Sequence, residues 1–326
     1  MKIKYLQIKQ SNSKNNIFNE FHTIFIVKKT TIKKVLHPHS QITNHKSQIT
    51  NHNSPFTIHH SPFTKKLYLC PQILNQMNIY KADLHTHTLF SPCGDLDMTP
   101  ENIISIALEK GLDVIAITDH NATRHCRLAE HYSHNRDIFV LCGAEVTTKE
   151  EAHCLAYFGD HESLDKFQEY LDEHLPDIPN DPEIFGDQVQ IDEEMNIIYE
   201  EPKLLTSAID QNVNQIADKV HELGGLFVPA HVDKMKNSLI AQLGFIPFDL
   251  EYDAVELSKH GNKDEILKVH KYLKDKMFTR SSDAHLPNVI GTAPCYLKME
   301  TRSFEEIRKA LHGEDGREVL LTIDDV

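Results

Sequence analysis

His85 and His87 stand two residues apart, directly after the apolar run 79–84. On a strand, positions i and i+2 project to one face, so two imidazoles there could begin a divalent-metal site. A lone His-x-His pair is more often incidental than ligating. Its weight comes from its company further along the chain. Asp119 and His120 come after Val114–Ile117, and Glu145 after Phe139–Leu141. His231 comes after Leu226–Val228, and Asp283 and His285 come after Met277–Thr279. His153 departs from the rule, because it begins its apolar run, 153–158, rather than ending it. Mixed imidazole and carboxylate donors with no cysteine required suit Zn2+, Mn2+ or Fe2+. One zinc ion takes three or four protein ligands, so a set this large points to more than one ion. A carboxylate such as Glu145 could bridge two ions about 3.5–4 Å apart, the spacing of many phosphate-ester hydrolases.

These side chains need a scaffold that gathers strand ends on one rim. From Met77 onward the pattern alternates. Strands are predicted over 79–84, 113–117, 138–142, 153–158, 226–229, 254–257, 277–280 and 318–323. A helix is predicted from Thr99, an N-cap with Pro100 at the first helical position, to Gly111. Further helices are predicted near 122–134 and over 162–174, 207–223, 234–242, 263–275 and 303–311. Strands alternating with helices predict an α/β fold built on a parallel sheet or barrel. In barrels of this kind, functional side chains sit at the C-terminal strand ends. An acidic, proline-marked insertion near 160–205 interrupts the pattern. It is expected to hold a hairpin, 189–191 against 196–199, and its position suggests a lid over the pocket.

Charge divides the chain of 326 residues in two. Residues 1–76 carry 11 lysines against one acid, Glu20, whereas the rest carries 23 basic and 47 acidic residues. The first part repeats itself: Gln41-Ile42-Thr43-Asn44-His45 returns at 48–52, and Ser54-Pro55-Phe56-Thr57 at 61–64. Such a short polar repeat cannot bury a core. Residues 1–76 are therefore expected to be a low-complexity, disordered extension, with Met77 as the natural start of a domain over 77–326. An acidic domain is a poor platform for long nucleic acid and favours a small phosphate-ester substrate. No apolar run reaches 18 residues, so no membrane span is expected. The first residues lack the pattern of a secretory signal. The six cysteines form no C-x-x-C pair, and a reducing cytoplasm is the simplest expectation.

In order, His85-Thr86-His87, Thr118-Asp119-His120, Gly143-Ala144-Glu145, His153, Pro229-Ala230-His231 and Ser282-Asp283-Ala284-His285 resemble the motifs of the PHP (polymerase and histidinol phosphatase) family. The resemblance covers about residues 77–300. It implies a distorted (β/α)7 barrel with two or three divalent ions, Mn2+, Zn2+ or Fe2+, that hydrolyses phosphate esters by a metal-activated hydroxide. It implies His85, His87, Glu145 and Asp283 around a first, catalytic ion, and Glu145, His153 and His231 around a second. A third would take His120, His285 and an acid from the loop after His87. Many relatives read Ser-Asp-Gly in that loop; this chain reads Ser91-Pro92-Cys93-Gly94-Asp95. Asp95 is the expected ligand there and Asp97 the alternative. Asp119 is expected to orient its neighbours from behind the ligands. Arg124, Lys234, Lys259 and His260 each follow a strand end and are candidates to contact substrate phosphate. The pattern of Asp95, Glu145 and His153 is most similar to the subgroup acting on nucleoside 3',5'-bisphosphates and the 5' ends of short oligonucleotides. Histidinol phosphatase is the alternative enzyme. A non-catalytic or proofreading module beside a DNA polymerase is the alternative of another class.

Overall fold

A computed structural model of the protein describes residues 77–325. The expected disorder of 1–76 and the expected start at Met77 concern residues outside, or at the border of, that range. The first half of the fold runs β1 (Asn78–Asp83), α1 (Pro100–Glu109), β2 (Val114–Ile117), α2 (Cys126–Ser133), β3 (Phe139–Thr147), β4 (His153–Phe158) and α3 (His161–His174). An inserted hairpin follows, β5 (Val189–Ile191) and β6 (Ile197–Glu200). The second half runs α4 (Val213–Glu222), β7 (Leu226–Pro229), α5 (Leu239–Leu243), β8 (Val255–Leu257), α6 (Lys263–Val269), β9 (Phe278–Arg280), β10 (Cys295–Met299), α7 (Phe304–His312) and β11 (Glu318–Leu320).

Seven strands form a curled sheet in the order β11, β10, β1, β2, β3, β4, β7, and β8 and β9 form a second, two-stranded sheet beside β7. β1, β2 and β3 are parallel, β4 runs against both β3 and β7, and β8 pairs in parallel with β9. β7 and β8 are stitched by backbone bonds from Asp253 N–H to the Phe227 carbonyl and from Val232 N–H to that of Glu256. A parallel bridge between Thr86 and Ala284, just beyond β1 and β9, draws the two ends together. This is the expected α/β barrel type, and the reversed β4 is its distortion.

Reversal of β4 explains His153. Cα pairing sets Thr147 opposite His153, so the first residue of β4 lies at the end of β3. A candidate that begins its strand thus reaches the same rim as those that end theirs. The turn between them is short, with Thr148 N–H donating to the Ala152 carbonyl.

Alternation along the strands splits the interior. Ile115, Ile117, Val140, Ala144 and Val146 pack beneath the helices, whereas Val114, Ala116 and Leu141 belong to a second cluster with Leu155, Tyr157 and Val228. On the same faces as Leu141 and Leu155 lie Glu145 and His153, as period-2 alternation requires. Tyr157 fills the space below them. It is 2% exposed, and its hydroxyl donates to the Leu84 carbonyl at 2.7 Å. Gly143 makes room for it: a Cβ there would meet the Ala156 carbonyl oxygen at 2.1 Å and Tyr157 Cδ1 at 3.0 Å.

Four elements differ from expectation. Helix 207–223 begins only after Asn212, whose capping box with Gln215 fixes the start; Ile209 N–H is instead bonded to the Thr147 carbonyl. Helix 234–242 shrinks to α5, because Ser238 caps Ala241 N–H and leaves 231–237 as a loop over the rim. Helix 263–275 stops at Val269 and continues as a 3-10 turn, Lys271–Leu273. Strand β10, absent from the expected set, pairs antiparallel with β1, and its buried Cys295, Leu297 and Met299 alternate with half-buried neighbours. The expected insertion also shortens, since α3 buries Leu164, Phe167 and Leu171 in the main core.

Candidate metal centre

Glu145 is the hub of the rim. It is 1% exposed. Its Oε1 lies 3.2 Å from His85 Nε2, 2.9 Å from His153 Nδ1 and 3.0 Å from His231 Nε2. Its Oε2 lies 3.3 Å from His87 Nε2 and 3.1 Å from His120 Nδ1. Asp283 Oδ1 completes one group, 3.5 Å from His85 Nε2 and 3.4 Å from His87 Nε2. The two Nε2 atoms are 3.1 Å apart. His285 stacks on His87 with ring centroids 4.1 Å apart.

These separations suit a bound ion. Four donors about 2.0–2.2 Å from a tetrahedral centre lie roughly 3.3–3.6 Å from one another. The contacts among His85, His87, Glu145 and Asp283 span 3.1–3.5 Å. Two further clusters have donor atoms within reach of one ion: His87, His120 and His285, and His120, Glu145 and His153. Two donors have no use outside the cluster. His120 Nδ1 and Asp283 Oδ1 are buried and face only Glu145, His85, His87 and His285, an arrangement that is costly unless something satisfies them. His231 and Asp283 also hold positive φ, 28° and 51°, strain of the kind that functional sites retain.

Without metal, the cluster is held by its own charges. Burial opposes the protonation of His85, but Glu145, Glu256 and Asp283 outweigh it and raise its pKa well above the ordinary value. His87 is raised likewise, its bonds to Asp283 and Glu145 overcoming burial. Burial would raise Glu145, yet His153, His85 and His120 hold it well below the carboxylate range. Asp283 is pulled down against burial by His85 and His87. Burial leaves His120 well below its usual range and His285 at about 4, so both are neutral donors near pH 7.

Three orienting groups lie behind the donors. Asp119 accepts from Thr88 N–H and Ser91 Oγ, each at 2.7 Å, and Ser91 Oγ lies 3.0 Å from His87 Nδ1. Glu256 was not foreseen in the sequence. It accepts from His85 Nδ1 at 3.1 Å and from His231 N–H at 3.0 Å. The available signal was a single acid inside the apolar strand 254–257.

The structure brings together His85, His87, His120, Glu145, His153, His231, Asp283 and His285, with Asp119 behind them. Asp95 N–H donates to the His285 carbonyl at 2.9 Å, which sets Asp95 beside the cluster, but neither its carboxylate nor that of Asp97 is within the donor groups. Both are exposed, and Asp95 Oδ1 accepts the Asp97 N–H at 2.9 Å, closing a local turn. Lys234 reaches the site, pairing its Nζ with Asp283 Oδ2. Arg124 does not: Asp172 holds its guanidinium at 2.8 Å, and it lies over the Tyr199 ring. Lys259 and His260 are exposed, with no side-chain contact to the cluster.

Residues 83–236 match the family model described as the PHP domain. An uncharacterised protein of Methanocaldococcus jannaschii is 27% identical over 212 residues, 61% of this chain and 96% of that one. The fold is similar to a lesion-specific endonuclease, endonuclease Q of Pyrococcus furiosus, with a TM-score of 0.58 and 22% identity, covering 74% of this chain and 58% of that one. A structure of endonuclease Q with a 27-mer duplex substrate bearing an abasic lesion gives 0.54 at the same identity and coverage. The chain thus spans 58% of the length of the endonuclease structures it matches. Among the described residues no helix is long and apolar enough to cross a membrane.

Proposed function

We propose, on the premise that residues 83–236 are a PHP domain, that this chain is a metal-dependent phosphoesterase. The observation that carries the reading is the group His85, His87, Glu145 and Asp283, whose mutual spacing fits one divalent ion. In this reading Glu145 is shared with a second ion held by His153 and His231, and His120 and His285 serve a third. Bound there, such ions lower the pKa of water to about 7 and neutralise charge on a phosphoryl group. The residues supply the rest. Glu256 and Ser91 fix the two rings on their Nδ1 sides, which aims both Nε2 lone pairs inward. Lys234, half-exposed beside Asp283, is placed to meet a phosphate oxygen at the mouth. Tyr157 and the apolar interior keep water from below.

The favoured substrate is a small phosphomonoester, a nucleoside 3',5'-bisphosphate or the 5' end of a short oligonucleotide. The acidic balance of residues beyond 76 supports it over a long polyanion. Cleavage within a nucleic-acid backbone is the second reading, favoured by the fold similarity to endonuclease Q. A Mn2+-supported screen separates them. It compares adenosine 3',5'-bisphosphate, histidinol phosphate, a 5'-phosphorylated oligonucleotide and duplex DNA with an abasic site. Phosphate release from the first or third is expected; strand cleavage of the duplex alone would establish the second reading instead. His87→Ala and Asp283→Ala are expected to stay folded and lose turnover, and unchanged turnover in both would reject the metal mechanism.

A further inference from the structure

Behind His87 runs a chain of buried contacts that no ligand assignment uses. His87 Nδ1 lies 3.0 Å from Ser91 Oγ, which donates to Asp119 Oδ1 at 2.7 Å. Asp119 Oδ2 accepts from Thr88 Oγ1 at 2.7 Å, and Thr88 Oγ1 lies 2.7 Å from His125 Nδ1. His125 Nε2 accepts the backbone N–H of Ile191 at 3.0 Å. His87, Ser91, Asp119, Thr88 and His125 are each 0% exposed. Ile191 belongs to β5, within the inserted segment.

The proton directions follow from the two ends. A ring nitrogen that accepts an amide N–H carries no proton, so His125 bears its proton on Nδ1 and donates to Thr88. The Thr88 and Ser91 hydroxyls then both donate to Asp119, a carboxylate that can only accept. Ser91 Oγ is left to accept from His87 Nδ1–H. Held this way on its Nδ1 side, His87 directs Nε2 toward Glu145 and Asp283, where a bound ion would take its lone pair.

The inserted segment is clamped on the same turn at two other points. Gly186, at φ 105°, lies so close to Pro92 that a Cβ would meet the Pro92 carbonyl oxygen at 2.0 Å. Leu89, Val189 and Ile191 form a small apolar cluster of their own. The turn 88–92, which carries Ser91, is thus gripped by the insertion on both sides of the relay.

We propose that the inserted hairpin is part of the metal centre: its docking on His125 sets, through Thr88, Asp119 and Ser91, the tautomer and aim of His87. His125 is then a positioning residue, which touches neither metal nor substrate. The inference rests on His87 being a metal ligand. Mn2+ affinity by calorimetry, read together with hydrogen exchange at the Ile191 amide, tests it in the full chain.

His125→Phe removes both hydrogen bonds and keeps a ring, so Mn2+ binding should weaken about 10–100-fold, as for other orienting partners of a ligand, and Ile191 should lose protection. His125→Gln can accept from Ile191 and donate to Thr88, and should restore affinity. Thr88→Val cuts the relay in its middle, so affinity should fall while Ile191 stays protected, which a purely structural staple would not produce. Wild-type affinity in Thr88→Val, or in a folded His125→Phe with an unprotected Ile191 amide, would overturn the inference. Should His125→Phe not fold, Thr88→Val decides alone. A wild-type chain that binds no Mn2+ would overturn the metal reading itself, a separate result.

Discussion

Glu145 meets five histidines because it stands on the inner face of β3, one residue from either outward neighbour in the helix-covered layer. A carboxylate so buried is costly unless paired, and here the pairing and the ligand set are the same residues. Glu256 supports two of them at once. Glu256→Gln keeps an acceptor but loses the charge, and is expected to weaken Mn2+ binding about 10-fold or more; calorimetry that finds no change would remove Glu256 from the site. His85 supplies a pH prediction. Its raised pKa means that the metal-free ring is protonated near neutrality. Binding must displace that proton, so loading should release protons and affinity should fall as pH drops. Titration in two buffers of different ionisation heat measures the release, and identical apparent heats would contradict it. At this scale much was legible. His85, His87, His231, Asp283 and His285 each follow a recognisable apolar run. Glu256 and His125 carry no local motif, because their partners lie on other strands and loops far along the chain. Asp95 was chosen by position, and the local turn that its carboxylate closes with Asp97 N–H cannot be read from position.

Among the elements, the reversed β4 decides the architecture. It brings β3 and Tyr157 so close that residue 143 has no space for a methyl group. Gly143→Ala should cost about 1–3 kcal/mol, the usual range for overpacking, seen as a lower urea midpoint with unchanged m-value. A stability equal to wild type would show that the strands can part. Most elements were visible as alternation between period 2 and period 3.6. The errors fell at ends, where side chains compete with the helix backbone: Asn212 and Ser238 each cap a helix later than the apolar stripe suggests. β10 shows the reverse case. Its period-2 burial was present in Cys295-Tyr296-Leu297-Lys298-Met299, but the βα rhythm has no place for a strand that joins the sheet antiparallel beside β1.

Across the whole molecule, the two ends of the barrel carry different charge devices. One end holds the candidate metal centre. At the other, Asp253 Oδ2 accepts from Phe227 N–H at 2.6 Å and pairs with His221 at 3.0 Å, and Oδ1 pairs with His312 at 2.6 Å. This joins the ends of α4 and α7 to the start of β8. The bond to Asp253, against partial burial, raises the pKa of His221. Its contribution is therefore complete below about pH 6.5, the unfolded value, and is lost as pH rises through the higher folded value. His221→Ala should flatten the fall of the urea midpoint above pH 6.5. A parallel downward shift at every pH would mean that the ring acts by packing alone. What the sequence could not convey at this scale was the insertion's attachment, since composition marked an acidic, proline-rich segment near 160–205 without saying what it touches.

Reversal of β4 also places an arithmetic constraint on inheritance. A ligand at the end of a forward strand is followed by a loop whose length is free, and the chain has used that freedom after α3. His153 instead depends on the turn 148–152, where one added or lost residue would slip the register and turn His153 and Leu155 to the opposite face. A one-residue insertion there should weaken Mn2+ binding in a calorimetric titration, and wild-type affinity would disprove the constraint. In this turn a change must keep the count even.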